Sequence, residues 1–265
     1  MKFLASLAPV LLTFPQYSLA GSLSLTDTSI VHSLDGKLTE WSGQKFETDL
    51  ATQIKYAVDN DAQNLYVAVV IPTPRVQMRI MRQGMQLYLD LKAKKKEGRG
   101  IEFPVARDAA PDNALLSYRN DQGMEQETPA QKKAKMKAMR ASLALNLTSM
   151  KLFGFTNVHS EEQGLQMAGS VNIAFAWDSA DAMGIEYRIP LSLLELSQPL
   201  SQKEISIGWK LTGLRELLNA SRGDHHHNRE NGEGESRENY QANAAPGSAE
   251  NVMEGQSFWT KYVFK

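Results

Sequence analysis

The residues best suited to hold a ligand lie together at the end of a short alternating segment. Trp177 ends the alternation, and Asp178 and Asp181 are the first and last residues of the turn-like Asp-Ser-Ala-Asp run that follows. An indole ring offers a flat apolar face, and carboxylates accept hydrogen bonds from hydroxyl groups. Trp177, Asp178 and Asp181 are therefore the candidate ligand-binding residues, and a sugar is the kind of ligand they suit. In the alternative interpretation Trp177 caps a hydrophobic core.

Patterns for metal binding are weak. The histidines at His225, His226 and His227 are consecutive, and adjacent histidines in a loop do not converge on one ion as spaced ligands on a rigid frame do. Asp90, Asp108 and Asp112 could supply oxygen ligands, but their spacing matches no EF-hand loop. We predict no metal and no cofactor, and leave open adventitious transition-metal binding by the histidines and a structural calcium ion.

Catalytic signatures are absent from the sequence. It contains no Gly-x-Ser-x-Gly elbow, no His-Glu-x-x-His pair and no phosphate-binding glycine-rich loop. The chain has no cysteine, which excludes disulfides, thiol nucleophiles and cysteine-based metal sites. Paired carboxylates stay open, because their proximity depends on the fold. An enzyme is therefore the least favoured class of function.

The charge balance argues against a nucleic acid partner. Lys and Arg number 29 and Asp and Glu 30, so the chain has no basic excess to attract phosphate. One local exception is a short basic run, formed by Lys92, Lys94, Lys95, Lys96 and Arg99. We interpret it as a solvated hairpin tip, with contact to an acidic glycan, a lipid headgroup or a protein partner as the functional alternative.

Residues 1–20 have the pattern of a secretory signal peptide. Lys2 gives a positive start, residues 3–14 are mostly apolar, and Ser18-Leu19-Ala20 is a small-x-small cleavage site. We therefore expect an exported protein, periplasmic or extracellular, with an uncleaved N-terminal anchor as the alternative interpretation of this segment. No later apolar stretch approaches the roughly 20 residues that span a bilayer, so we predict no transmembrane segment in the mature chain.

Alternation at period two runs through most of the remaining sequence. It predicts an antiparallel two-sheet sandwich of the immunoglobulin-like or jelly-roll-like kind, because several short strands are separated by turn residues. Trp209 and Trp259 fall inside these strands and are predicted to be core residues. The predicted strands cover residues 54–58, 65–71, 85–90, 171–177, 184–189, 205–211 and 258–264.

Two segments break this pattern. Thr128 and Pro129 suit the cap and first turn of a helix, so we predict an amphipathic helix inserted near 129–145. Residues 220–254 are rich in Gly, Asn, Glu, Ser and His, and their composition predicts a mobile polar loop. Residues 21–265 are otherwise expected to form one domain.

The order of the motifs resembles carbohydrate-binding modules of family 9 and the related DOMON-like sandwiches. The motifs are Asp-Gly-x-x-x-Glu-Trp at 35–41, Asp-x-x-Asn-Leu-Tyr-Val at 61–67, a strand ending in Asp90, and Glu-x-x-Ile-Pro at 186–190. The resemblance covers roughly residues 30–215 and the last strand. It implies a β-sandwich, and it makes glycan binding an expectation, although no functional residue of the family can be matched individually. Trp41 is expected to pack across the open end of the sandwich.

These observations favour a non-catalytic ligand-binding module, with a carbohydrate as its ligand. A second hypothesis is a structural or adaptor protein of the cell envelope that binds another protein through the helix and the long loop. An exposed Trp177 beside a groove would favour the first hypothesis. An exposed apolar patch on the helix would favour the second, and convergent buried carboxylates would favour an enzyme.

Overall fold

The strands form two antiparallel sheets, which are described here from a computed structural model. The model describes residues 32–105, 128–156, 158, 161–195, 200–213 and 255–265. The predicted signal peptide, the predicted loop at 220–254 with its three histidines, and Asp108 and Asp112 lie outside these ranges. Those predictions therefore stay predictions.

Sheet A has five strands in the order β1-β2-β3-β9-β8, and sheet B has six in the order β11-β10-β4-β5-β6-β7. The strands of sheet A are β1 (Glu47–Thr48), β2 (Lys55–Asn60), β3 (Asn64–Ile71), β8 (Asn172–Trp177) and β9 (Met183–Pro190). The strands of sheet B are β4 (Met85–Asp90), β5 (Gly100–Phe103), β6 (Ser149–Phe153), β7 (Glu162–Gly164), β10 (Glu204–Leu211) and β11 (Gln256–Val263). The predicted fold class, a mainly β antiparallel sandwich, is confirmed.

The core lies between the two sheets. Leu65, Val67, Ile185 and Tyr187 of sheet A are fully buried, and so is Leu87 of sheet B. Across the sandwich, the ring centroids of Tyr56 and Trp209 lie 4.6 Å apart, and those of Phe103 and Phe175 lie 5.6 Å apart. Alternation in the sequence places these side chains on the inner faces because successive residues of a strand point to opposite sides.

Two helices join the sandwich. Helix α1 (Pro74–Gln83) connects β3 to β4 and was missed by the sequence analysis. Helix α2 (Pro129–Ala144) matches the predicted insertion, and Thr128 caps it in a reciprocal capping box with Gln131. Short 3-10 helices at Thr39–Gly43 and Leu191–Leu194 complete the described elements. No helix in the described ranges has the length and hydropathy to cross a membrane.

Two predictions about tryptophans need correction. Trp41 packs on the outer face of sheet A, against Ala57, Tyr66 and Ala68, and not across the open end of the sandwich. Trp259 is partly exposed on the outer face of sheet B, because its strand register pairs it with Gly208 on the side away from the core. Trp209 is a core residue as predicted and is 1% exposed.

Candidate functional site

The predicted ligand-binding residues lie at the rim of the core, where the two helices meet the end of β8. Trp177 faces inward and packs against the core cluster. Its indole N–H donates to Oε1 of Gln77 on α1 at 3.0 Å, and the guanidinium of Arg140 on α2 lies 5.1 Å from its ring centroid. The indole donor and one ring face of Trp177 are thus occupied by the protein itself.

The two aspartates beside Trp177 also have partners within the chain. Asp178 accepts hydrogen bonds from the backbone N–H groups of Ala180 and Ala182, which closes the β8–β9 turn. Asp181 accepts from Arg140 at 2.7 Å and also pairs with Lys133. The Arg140 hydrogen bond holds the pKa of Asp181 below its usual range. The three residues lie close together because they are sequence neighbours, and their role in ligand binding stays a prediction.

The outer face of sheet A is held by a buried glutamate that links two of the sequence motifs. Glu186 on β9 is 2% exposed and accepts from the backbone N–H groups of Asp35 and Gly36 and from the indole of Trp41. Burial raises the pKa of Glu186, the carboxyl of Glu40 beside it raises the pKa further, and the N–H donors act in the opposite direction. The Asp-Gly and Glu-x-x-Ile-Pro motifs are therefore two sides of one contact.

A second polar cluster lies on the same face, around Asp59. The ring of His32 lies between Trp41 and Tyr66, at 4.3 Å from each, and its Nε2 is 3.1 Å from an oxygen of Asp59. Burial alone would raise the pKa of Asp59, but hydrogen bonds from His32, Lys265 and the backbone N–H of Asn60 outweigh it and lower the pKa to about 2. The part of the chain described here contains no group of three or more His, Asp or Glu side chains that could hold a metal ion.

The outer face of sheet B carries an aromatic row that the sequence analysis did not find. Strand register places Trp259, Gly208, Tyr88, Gly100 and Phe153 side by side on five neighbouring strands, so that aromatic residues and glycines alternate across the sheet. At about 4.8 Å between strands, the row is roughly 19 Å long.

The glycines let the rings lie close to the sheet. A Cβ added at Gly208 would lie 2.6 Å from Cδ2 of Trp259, and one added at Gly100 would lie 2.5 Å from Cζ of Phe153. The Trp259 and Tyr88 rings are nearly parallel, at 22° and 5.9 Å, and Phe153 meets Tyr88 edge to face at 5.6 Å. Trp259 and Phe153 are partly exposed, whereas Tyr88 is 5% exposed.

Polar side chains border the aromatic row on both sides. The next row toward the start of β4 is polar and contains charges of both signs; its members are Ser257, Lys210, Gln86, Glu102, Lys151 and Glu162. The hydroxyl of Tyr88 donates to Oε1 of Gln86, in that row. Beyond the other side of the aromatic row lie Ser206, Lys261 and Asp90.

An ion pair connects the two borders. Lys210 belongs to the polar row, Glu97 belongs to the turn after Asp90, and their charged atoms are 3.3 Å apart. The pair therefore joins a residue on one side of the aromatic row to a residue beyond the other side. Aromatic faces bordered by fixed donors and acceptors are the chemistry that binds a pyranose, which has apolar faces and a rim of hydroxyls.

The sequence contained a signal for this row. An isolated glycine inside a strand pattern indicates a close approach of another group, and Gly208 and Gly100 are such glycines. What the sequence could not provide was the register that sets Gly208 beside both Trp259 and Tyr88.

A shallow depression of about 500 Å³ lies at one end of the sandwich. The residues that line it are small, aliphatic or polar, namely Ala62, Gln63, Asn64, Pro190, Leu191, Ser192, Glu195 and Leu200. Because this lining includes no aromatic ring, the depression offers no stacking surface of the kind that the aromatic row of sheet B provides.

No protein-family model matches the chain, and no curated protein matches it in sequence. One similar solved structure is a family 9 carbohydrate-binding module from Caldicellulosiruptor kristjanssonii in complex with glucose. The identity is 10% and the TM-score 0.35, over 68% of this chain and 73% of that module. The family is the one that the sequence motifs resemble, but at this TM-score the likeness supports no conclusion about a ligand. The chain's own strand pairing defines it as a two-sheet β-sandwich with an aromatic outer face.

Proposed function

We propose that this protein is a non-catalytic binding module that holds a glycan across the outer face of sheet B. The observation that carries the proposal is the in-register row of Trp259, Tyr88 and Phe153, with glycines between them. The partly exposed rings of Trp259 and Phe153 offer stacking surfaces to the sugars of an extended chain, and the bordering polar rows can bind its hydroxyls. Trp259 and Phe153 are the proposed stacking residues, and Lys210 and Gln86 the proposed hydroxyl partners.

This placement differs from the site predicted from the sequence, and the two sites can be compared directly. Trp259 has a solvent-facing position on the sheet, whereas Trp177 donates its N–H to Gln77 and carries Arg140 over its ring. The face of sheet B is therefore the stronger proposal, and Trp177 serves as the matched control.

The experiment is a glycan-array screen of the protein, followed by binding isotherms for each glycan that binds. Trp259→Ala should weaken binding by about tenfold or more, because a tryptophan in direct contact with a ligand commonly contributes a large share of the binding free energy. Phe153→Ala should weaken binding less, and Trp177→Ala should leave it unchanged. Full binding by Trp259→Ala with loss in Trp177→Ala would move the site to the rim of the core, and no glycan binding at all would end the proposal.

The adaptor hypothesis receives no comparable support. Met136, Met139 and Leu143 of α2 pack against the core cluster, so the apolar face of this helix is turned toward the sandwich. Among the described residues, the large hydrophobic side chains that are exposed are Leu50, Leu145, Met167 and Val263, and they come from separate segments of the chain. Export through residues 1–20 stays part of the proposal, and N-terminal sequencing of the secreted or periplasmic protein would test it.

A further inference from the structure

A structured turn of lysines lies next to the aromatic row. Strand β4 ends at Asp90, and the turn that follows contains Lys92, Lys94, Lys95 and Lys96, which we call the lysine tip. Asp90 lies two residues beyond Tyr88, or about 7 Å along the strand. The lysine tip therefore starts close to the aromatic row, directly after the strand that carries Tyr88.

The lysine tip has a defined backbone. The carboxylate of Asp90 accepts hydrogen bonds from the backbone N–H groups of Lys92, Lys94 and Lys96, at 3.0, 2.7 and 3.0 Å. Ala93 and Lys95 adopt left-handed backbone conformations, with φ of 54° and 58°. This arrangement uses the carboxylate of Asp90 to fold the turn, and the four lysines of the tip are exposed.

The charge of this end of the sheet is positive. Residues 90–99 contain five cationic side chains against Asp90 and Glu97. Asp90 is engaged by backbone donors, and Glu97 is paired with Lys210. Lys261 on β11, two strands away from β4, is paired with Glu204. Residues 90–99 therefore carry five positive charges against two negative ones, and four of the five positive charges are the lysines of the tip.

We infer that the glycan bound on sheet B is acidic, a polysaccharide whose carboxylate groups reach the lysine tip while its sugar rings stack on Trp259 and Phe153. This inference rests on the proposed function and names its ligand class. Charge complementarity and the continuity of the tip with the platform favour an acidic glycan over a neutral one. At physiological salt the Debye length is about 8 Å, so the tip lysines attract those carboxylates of the glycan that come within about that distance.

The test compares polyuronates with their own methyl esters. Polygalacturonate and alginate carry free carboxylates, and full methyl esterification removes the charge while keeping the backbone. We expect the free acids to bind at least about fivefold more tightly than the esters at low salt, and the difference to shrink at 0.5 M NaCl because exposed charges are screened.

A triple variant locates the effect. Lys94→Gln, Lys95→Gln and Lys96→Gln together should reduce binding of the free acids to the level of the esters and flatten the salt dependence. The matched control neutralises three lysines of α2, Lys132→Gln, Lys135→Gln and Lys137→Gln, and should bind like the parent protein. Circular dichroism of both triples checks that the sandwich is retained.

The outcomes separate this inference from the proposed function. Equal binding of acids and esters, lost in Trp259→Ala, would overturn the acidic ligand and leave the platform standing. Binding to vesicles of anionic lipid, dependent on the tip and not on Trp259, would overturn it in favour of a membrane surface. Failure of all neutral and acidic glycans to bind would overturn the proposed function itself.

Discussion

At the scale of single residues, buried carboxylates fasten the N-terminal segment and the end of β11 to sheet A. Asp59 lies between His32 on one side and Lys265 on the other, and Glu186 receives three N–H donors from residues 35–41. Hydrogen bonds to a charged group contribute about 1.5–3 kcal/mol each when both partners are present. Protonation of these carboxylates should therefore change stability, in opposite directions for the two groups.

Asp59→Asn should destabilise the protein by about 2 kcal/mol at pH 7, because the folded state holds the pKa of Asp59 near 2, below its ordinary value of 3.8. A lowered pKa contributes stability above the unfolded pKa and loses it as pH falls through the folded one. The stability difference between parent and variant should thus shrink between pH 4 and pH 2. Urea unfolding at several pH values measures this difference. The free energy of unfolding of Lys265→Gln should lie between those of the parent protein and Asp59→Asn. A difference that does not change with pH would contradict the assignment.

Glu40→Gln should stabilise the protein at pH 7, whereas Asp59→Asn destabilises it. The pKa of Glu186 is raised, so its contribution to stability is complete below about pH 4.5 and is lost as pH rises through the folded pKa. Removing the neighbouring carboxyl should lower that pKa and raise the free energy of unfolding at pH 7 by about 1 kcal/mol. The exposed carboxyl of Glu161 provides the control, Glu161→Gln. Parallel pH profiles for Glu40→Gln and its parent would show that the two carboxyls do not interact.

At the scale of elements, the glycines of sheet B determine how closely the aromatic rings approach the strands. Gly208 lies on β10 between Trp259 on β11 and Tyr88 on β4, and the atoms nearest to an added Cβ all belong to the Trp259 ring. Gly100 has a tighter environment, because an added Cβ would also lie 2.5 Å from the backbone oxygen of Leu87. Gly208 is therefore the position where the platform can be changed without breaking the strand ladder.

Gly208→Ala should lift the Trp259 ring from the sheet and weaken glycan binding several-fold, while the free energy of unfolding changes by about 1 kcal/mol or less. The new methyl group meets a side chain that can move, and alanine loses less backbone entropy than glycine in a strand. Isothermal titration and thermal unfolding give the two numbers. Gly164→Ala on β7, with open space around the added Cβ, is the control. Normal affinity in Gly208→Ala would indicate that the position of Trp259 does not matter for binding.

The elements also show how far the sequence could predict the fold. Alternation found seven strands to within two residues, and the Thr128-Pro129 signal placed α2. The same signal, Thr73-Pro74 with Gly84 at the other end, marks α1, whose buried residues include Val76, Ile80 and Met81. The sequence analysis did not use this signal. The short strands β1, β5, β6 and β7 have two to five residues, too few to show a period.

At the scale of the whole molecule, function follows from which faces of the sandwich remain available. Residues 32–46 supply Trp41, Leu38 and Phe46 to a second apolar cluster on the outer face of sheet A. The outer face of sheet B keeps Trp259 and Phe153 partly exposed. This difference between the two outer faces depends on the register between strands that are far apart in sequence, such as β4 and β10. The candidate site predicted from the sequence used only neighbouring residues, 177–181, and so could not include it.

The central claim is that Trp259 on sheet B contacts the glycan. The most direct measurement is a two-dimensional ¹⁵N NMR titration that follows the four indole N–H signals, assigned with Trp→Phe variants, as a binding glycan is added. The account predicts that the Trp259 signal shifts or broadens in proportion to saturation, while those of Trp41, Trp177 and Trp209 stay in place. A shift of Trp177 with an unchanged Trp259 would contradict it.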